Sequence, residues 1–234
     1  MLILSLDTTT RVGSVAVLRH DIVLAEIIGD PAITHGERLP GDLNRALETA
    51  GARVDHLDLL AVVAGPGSFT GLRVGIASMQ GLAFARGLRI VPVSSLEALA
   101  RHAENEHPDD DPLIAPWMDA QRGEVFASLY SPGAGAVIEN PTAASPAATL
   151  AAWRASLGPS RRVRFIGDGG VRYRELIVGT LGPRAVIVEP TPALAVTVGR
   201  IAALDHERAV LPHAVVPIYV RRPDAELARD RQTR

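Results

Sequence analysis

The sequence has no cysteine among its 234 residues, and all 24 of its basic residues are arginine. The absence of thiols excludes disulfides, a thiol nucleophile and zinc or iron–sulfur sites with cysteine ligands. The absence of lysine excludes a Schiff-base enzyme, a Walker-A loop and a kinase of the strand-lysine type, because each needs an ammonium group at a fixed place. Two broad classes of chemistry are therefore removed before any motif is considered.

Aromatic residues and long apolar runs are also scarce. Aromatics make up 4% of the chain and hydrophobic residues 47%, which predicts an aliphatic, close-packed globular core. No stretch reaches the roughly 18 apolar residues of a membrane-spanning helix, and the apolar run 2–6 is too short for a signal peptide. The formal net charge of −2 argues against electrostatic binding of nucleic acid or anionic membrane by the whole chain. A cytoplasmic protein with no membrane contact is expected.

Residues 1–104 predict one lobe of an α/β fold. Because Pro40 is tolerated only in the first turn of a helix, the first helix is expected to begin near Arg38. The predicted strands cover 2–6, 12–18, 22–28, 59–64 and 90–93, and the later helices run from after 70 to about Arg86 and from 96 to 102. This order predicts a sheet with an antiparallel start and a parallel remainder, covered by helices.

A second, shorter lobe is expected at 112–220, after the acidic segment 102–111. Its predicted strands are 113–118, 124–130, 163–166 and 185–188, with a surface loop rich in Gly, Ala and Pro at 132–146. The final predicted helix, 192–204, can pack back on the first lobe, and the tail 221–234 is expected to be loose.

Three turns lie next to predicted strand ends. Each turn either binds a phosphate or makes hydrogen bonds only to its own backbone groups. An acid at a strand end followed by hydroxyls can hold a metal or water beside a phosphate that backbone amides cradle. The alternatives are a local turn and a helix cap. The residues concerned are Asp7, Thr8, Thr9 and Thr10 in the first turn, Gly65, Gly67 and Ser68 in the second, and Gly167, Asp168 and Gly169 in the third.

The helix that follows residue 70 has no charged residue from Val74 to Ala85. An ordinary surface helix has one apolar stripe and one charged face. Glycines inside a helix cost about 0.5–1 kcal/mol each relative to alanine, so a close approach to a neighbour is expected to offset them. Either a second layer of this chain or another protein covers the outer face. The candidate partner-contact residues are Leu72, Arg73, Gly75, Ile76, Ala77, Met79 and Leu82.

Histidines and carboxylates form no recognisable catalytic motif. His35 stands alone, because Pro31 and Leu39 occupy the positions four residues away where a helical metal site needs a second histidine. Asp119 and Glu124 lie on either side of an arginine, either as an acid–base pair or as members of a salt-linked turn. No catalytic residue and no metal site are assigned.

Several longer segments together resemble one known family, and the match extends from Leu2 to about Arg222. The segments are LSLDTTT, AGPGSFTGLRVGIASMQGLA, VPVSSLEALA, MDAQRGEVFASLY, IGDGG and PIYVRR. The GPGSFTGLR block is far more specific than DTTT or GDGG alone. On these motifs the chain resembles the bacterial threonylcarbamoyladenosine biosynthesis proteins of the TsaB (YeaZ-type) family.

The resemblance implies a two-lobed ASKHA fold (actin-like ATPase or ribonuclease-H-like) in which mixed sheets are covered by helices, with turn 7–10 at the first phosphate-loop position. It also implies a non-catalytic subunit that pairs with a larger paralogue, TsaD. With a small ATPase, TsaE, that paralogue attaches a threonylcarbamoyl group to N6 of adenosine 37 in tRNA. Pairing with the paralogue, or with a second copy as a homodimer, would use the helices of the first lobe. The chain would have no cofactor of its own; ATP and a metal ion are expected in the partner subunits, and tRNA is contacted through the complex.

The chain departs from the catalytic paralogue at the metal site that the resemblance implies. The paralogue uses two histidines four residues apart; here His35 matches the second, and Pro31 stands in place of the first. One imidazole cannot hold a catalytic metal that needs three protein ligands. The alternative function is an ATP-dependent ASKHA transferase or hydrolase that acts alone through Asp7, Thr9 and the turn 167–170.

Overall fold

A computed structural model of the chain describes residues 1–106, 112–132 and 136–221. Within these ranges the chain forms two five-stranded sheets. The strands are β1 (Leu2–Asp7), β2 (Ser14–Arg19), β3 (Ile22–Ile28), β4 (Leu59–Gly65), β5 (Ile90–Ser94), β6 (Leu113–Asp119), β7 (Val125–Tyr130), β8 (Val137–Ala144), β9 (Val163–Ile166) and β10 (Ala185–Ile187). Half of the segment predicted as a lobe boundary, and nearly all of the tail predicted to be loose, lie outside the described residues.

The two sheets have the same topology. The first has the order β3-β2-β1-β4-β5, and the second has the matching order β8-β7-β6-β9-β10. In each, the first three strands in chain order pair antiparallel and the remaining two join in parallel. The mixed sheet predicted for the first lobe is confirmed, and the second lobe repeats it.

Helices cover both outer faces and fill the space between the sheets. The helices are α1 (His35–Thr49), α2 (Phe69–Arg86), α3 (Ser95–Glu106), α4 (Pro146–Ala152), α5 (Arg154–Leu157), α6 (Asp168–Arg172), α7 (Arg174–Leu181) and α8 (Ala195–Leu204). Helices α1 and α2 share an apolar cluster with the outer face of the first sheet, while α4, α5 and α7 do so on the second. No helix among the described residues is long and apolar enough to cross a membrane.

Each lobe contributes one helix to the other lobe's sheet. Helix α3 follows the first sheet in sequence but packs on β6 and β9, and α8 follows the second sheet but packs on β1, β2 and β4. The Ser5 hydroxyl donates to the Ala195 carbonyl at 2.7 Å, and the Ala195 N–H donates to the Ser14 hydroxyl at 3.0 Å. One continuous apolar cluster therefore includes residues of both sheets and both helices.

Two elements differ from the sequence prediction. Helix α1 begins at His35 rather than near Arg38, so that Pro40 lies inside it. The Glu37 carboxylate accepts hydrogen bonds from the Thr34 N–H and hydroxyl. This capping box stabilises the earlier start. Strand β8 lies within the segment predicted as a surface loop. Because β8 is an edge strand, Pro141 removes no bond from the sheet interior.

The last described residues, 209–221, form a segment that we call the C-terminal strap. Although the sequence placed them in the second lobe, most of the strap lies against the first. Val210 and Ile90 exchange backbone hydrogen bonds of 2.9 and 3.0 Å at the free edge of β5. The Ile218 N–H donates to the Ala64 carbonyl at 2.7 Å. The strap carries no apolar periodicity, so nothing in its sequence marked this path.

Gly199 tests the packing of α8 on the first sheet. A Cβ at this position would collide with Leu18 and lie 3.0 Å from the Ser5 hydroxyl. Gly199→Ala is therefore expected to lower the free energy of unfolding by about 1–3 kcal/mol, as overpacking does. Gly179 in α7 has open space around its Cβ position, and Gly179→Ala should be neutral or stabilising by up to about 1 kcal/mol. Urea unfolding of both variants measures the two changes in the free energy of unfolding. Equal changes would contradict the close packing of α8 on the first sheet.

Candidate functional site

Helix α2 is packed tightly against the turn that follows β1. Ser68 caps the helix by accepting a hydrogen bond from the Gly71 N–H at 3.3 Å. A side chain at Gly71 would collide with the Thr8 carbonyl, and one at Gly75 with the Thr8 hydroxyl. Only glycine at both positions allows the helix and the turn to approach this closely.

The turn 7–10 is closed within the chain. Asp7, Thr8 and Thr9 are at most 3% exposed. One Asp7 carboxylate oxygen accepts hydrogen bonds from the Thr9 N–H at 2.8 Å and from the Thr9 hydroxyl at 2.6 Å, and the Ser68 N–H donates to the Thr9 carbonyl at 2.9 Å. A Cβ at Gly67 would lie 2.5 Å from Thr9 Cβ. The amide and hydroxyl of Thr9 are thus engaged locally, whereas the buried Thr8 hydroxyl has no hydrogen-bond partner among the described residues.

The turn 167–170 has a similar arrangement in the second lobe. An Asp168 carboxylate oxygen accepts a hydrogen bond from the Asp119 N–H at 2.9 Å. Gly167 has φ of +109°, and a Cβ at Gly169 would lie 2.9 Å from the Met118 carbonyl carbon. The glycines therefore allow the turn to lie against the end of β6.

Asp7 and Asp168 are close enough to influence one another electrostatically. Burial raises the pKa of Asp7 above its ordinary value of 3.8; hydrogen bonds from Thr9 and the nearby His35 lower it in part, and Asp168 raises it further. Burial likewise raises the pKa of Asp168, an effect opposed in part by the hydrogen bond from the Asp119 N–H. The two turns therefore hold carboxyl groups whose charged forms are disfavoured.

His35 lies beside the first turn but does not fit a metal ligand. Its Nε2 is 2.8 Å from the Thr10 carbonyl, which can only accept, and its Nδ1 is 2.9 Å from the Arg38 guanidinium, which can only donate. Both ring nitrogens are therefore engaged, with a cation beside the lone pair of Nδ1. Among the described residues, no three His, Asp or Glu side chains form a group that could hold a metal ion.

The carboxylates of the β6–β7 turn are ion-paired. Asp119 accepts from Arg172 at 3.0 Å and Glu124 from Arg221 at 2.8 Å. The salt-linked arrangement is thus present, although these two partners lie far away in sequence.

The structure adds a buried ion pair that the sequence analysis did not single out. Arg38 and Asp42 are 2.5 Å apart and almost fully buried in α1. The same guanidinium donates to the Val12 carbonyl, which joins α1 to the loop before β2. The i, i+4 spacing of opposite charges is a signal that could have identified the pair.

The burial of α2 corrects the predicted partner contact. Leu72, Gly75, Ile76 and Met79 face the first lobe's own core and are buried, so they cannot touch another protein. The remaining predicted contacts, Arg73, Ala77 and Leu82, stay accessible. Gly75 is also unsuitable as a position for a substitution that tests pairing, because any side chain there would disturb Thr8. The sequence pattern does not distinguish the buried face from the accessible one, because apolar and small side chains occur all round this helix.

The accessible face of α2 carries small and aromatic residues and one arginine, Arg73. It carries Ala77 and Gly81 at its centre and Phe69 and Phe84 near its two ends. Phe84 is 85% exposed and Phe69 is 44% exposed. Exposed aromatics beside small residues are typical of protein–protein contact surfaces.

Comparison with known proteins identifies the family. The chain is 32% identical to the tRNA threonylcarbamoyladenosine biosynthesis protein TsaB of Bacillus subtilis, over 97% of this chain and 96% of that one. The chain belongs to the TsaB family. A family model described as "TsaD: tRNA N6-adenosine threonylcarbamoyltransferase" also matches residues 29–153, a span that includes α1 and α2.

Solved structures agree with this membership. YeaZ from Pseudomonas aeruginosa superposes with a TM-score of 0.73 at 27% identity, over 93% of this chain and 99% of that one. Component A of the (R)-2-hydroxyglutaryl-CoA dehydratase of Acidaminococcus fermentans superposes with a TM-score of 0.54 at 10% identity, covering 89% of this chain and 98% of that chain, and shows the fold alone. The predicted two-lobed, actin-like α/β fold is confirmed for this TsaB-family chain.

The buried carboxyl of Asp7 predicts a pH-dependent stability. Its pKa is higher in the folded than in the unfolded chain, so folding becomes less favourable as pH rises from 3.8 through the raised value. Asp7→Asn keeps an oxygen that can accept both Thr9 hydrogen bonds and removes the charge. The variant should therefore be more stable than the wild type at pH 7.5, with an advantage that shrinks toward pH 4.

Thermal unfolding between pH 4 and 8 measures this difference. The exposed carboxyl of Asp21 provides the matched control, Asp21→Asn. The claim that the folded protein disfavours the charged form of Asp7 would be contradicted if Asp7→Asn were less stable than the wild type at pH 7.5. A stability difference that does not depend on pH would contradict it as well.

Proposed function

We propose that this chain is a subunit of the machinery that forms N6-threonylcarbamoyladenosine at position 37 of tRNA. It pairs with a TsaD-type paralogue, works with a TsaE-type ATPase, and catalyses no step by itself. The proposal is supported by membership of the TsaB family over nearly the whole chain. One observation supports the proposed contact with the paralogue: the accessible face of α2 has Ala77 and Gly81 between two exposed phenylalanines.

The kind of partner follows from the relationship between the two proteins. The TsaD family model matches the span that holds α1 and α2, so the paralogue is expected to have corresponding helices. Small residues let two helices approach closely, and aromatic residues beside them add buried apolar area. Two related helix pairs can then meet face to face, as in a pseudo-symmetric dimer. Without the paralogue, the same face would pair two copies of this chain.

The contribution of such a subunit is a difference in binding free energy. If the chain binds the active conformation of the paralogue more tightly than the inactive one, it shifts the paralogue toward activity by that difference. ATP and the metal ion would belong to the partner subunits, tRNA would be contacted by the assembled complex, and the site of action would be the cytoplasm. This agrees with the hydrogen bonds that Asp7, Thr9 and Asp168 form within the chain in turns 7–10 and 167–170.

Ala77 tests the pairing. Ala77→Arg places an unpaired guanidinium at the centre of the proposed contact, where burying it is costly. The Kd for the purified TsaD-type paralogue, measured by isothermal titration calorimetry, should rise by at least about a hundredfold. In sedimentation experiments on the isolated chain, the variant should be a monomer wherever the wild type is a dimer.

Ala152→Arg is the matched control, because Ala152 is an exposed residue of α4 on the second lobe. It should pair with wild-type affinity. Equal pairing by Ala77→Arg and the wild type would show that the face of α2 is not the contact. Both variants should keep the wild-type unfolding midpoint, because both side chains point to solvent in the isolated chain.

A further inference from the structure

The exposed aromatic residues of the chain are confined to one surface. The chain has only nine aromatics: four Phe, three Tyr and two Trp. Three of them are exposed, namely Phe69, Phe84 and Tyr219. The first two belong to α2 and the third to the C-terminal strap. Aromatics in contact surfaces contribute much of the binding energy, so their concentration at α2 and the strap points to a single contact surface.

The strap runs antiparallel alongside α2. The Gln80 side-chain amide donates to the carbonyls of Pro212 and Val215 at 2.8 and 3.0 Å. Tyr219 lies further along the strap, four residues after Val215. Its ring packs against Phe69 at the start of the helix, with the ring centroids 5.7 Å apart. The strap therefore follows α2 from its second half back to its first turn.

Three side chains fix the far end of this arrangement. The Arg73 guanidinium lies over the Phe69 ring at 3.9 Å, and its Nε donates to the Tyr219 hydroxyl at 3.4 Å. The Phe69 ring is therefore held by contacts with both Arg73 and Tyr219. A stack that is ordered before binding loses little side-chain entropy when a partner covers it.

The strap also presents apolar side chains that its own fold does not use. Val215 is 3% exposed and anchors the strap in the core of the first lobe, whereas the next residue, Val216, is 66% exposed. Leu211 is 50% exposed. The alternation places one residue inward and its neighbours outward, beside the accessible face of α2.

We propose that the strap, through Leu211, Val216 and Tyr219, forms the second half of the surface that receives the TsaD-type paralogue. This inference rests on the proposed function, because it names further residues of the same contact. The occupant follows from continuity: the strap lies beside α2 and adds Leu211, Val216 and the Tyr219 ring to its accessible face. The face of α2 alone offers little apolar area between its two phenylalanines, and the strap enlarges it.

The test compares Val216→Glu with wild type for binding to the purified TsaD-type paralogue by isothermal titration calorimetry. Val216→Glu should raise Kd by at least about tenfold, because a carboxylate would be buried in an apolar contact. Tyr219→Ala, which removes the ring that packs on Phe69, should also weaken binding. The matched control is Val178→Glu, an exposed valine of α7, which should bind as the wild type does. An unchanged unfolding midpoint of Val216→Glu separates lost contact from lost fold.

The outcomes separate this inference from the proposed function. Wild-type affinity of Val216→Glu, with binding lost in Ala77→Arg, overturns the strap contact and leaves the α2 contact standing. If Val216→Glu binds more weakly and Ala77→Arg binds with wild-type affinity, the strap contact is supported and the α2 contact is overturned. Wild-type affinity of both variants, or no binding by the wild type, overturns both.

Discussion

The close packing of α2 on the turn after β1 is the constraint on which the site depends. Gly71 and Gly75 let the helix backbone rest on Thr8, and Gly67 lets the loop before the helix rest on Thr9. This contact has two effects at once. It closes the turn 7–10 from one side, and it commits the glycine face of α2 to the interior. The face left outside is then the one with Ala77 and Gly81.

The rest of the first lobe reinforces that orientation. The buried Arg38–Asp42 pair holds α1 to the loop before β2, and the strap holds α2 through Gln80. At its end the strap reaches the second lobe, where Arg221 donates to the Ala120 carbonyl at 3.2 Å. The accessible surface of α2 is therefore connected through the strap to the second lobe.

Much of the fold could be predicted from the sequence, but the orientation of α2 could not. Apolar runs such as 59–64 marked the buried strands, and turn chemistry marked their ends. Helix α2 has apolar or small side chains on every side, so periodicity selected no inner face; the pair Gly71 and Gly75 was the informative signal. The strap escaped prediction because it is held largely by backbone hydrogen bonds, by Gln80 and by the single buried side chain of Val215, which leave no periodic pattern in its sequence. Strand β8 escaped because Pro141 is tolerated at a sheet edge.

The measurement that tests the account most directly is reconstituted threonylcarbamoyl transfer to a tRNA transcript with adenosine at position 37. The reaction would contain ATP, threonine, bicarbonate, the enzyme that makes the threonylcarbamoyl donor, and the TsaD-type and TsaE-type proteins. Transfer is expected only when this chain is added to both proteins, and none is expected from the chain alone. Transfer by the chain alone, or undiminished transfer by the mixture without it, would contradict a non-catalytic but required subunit.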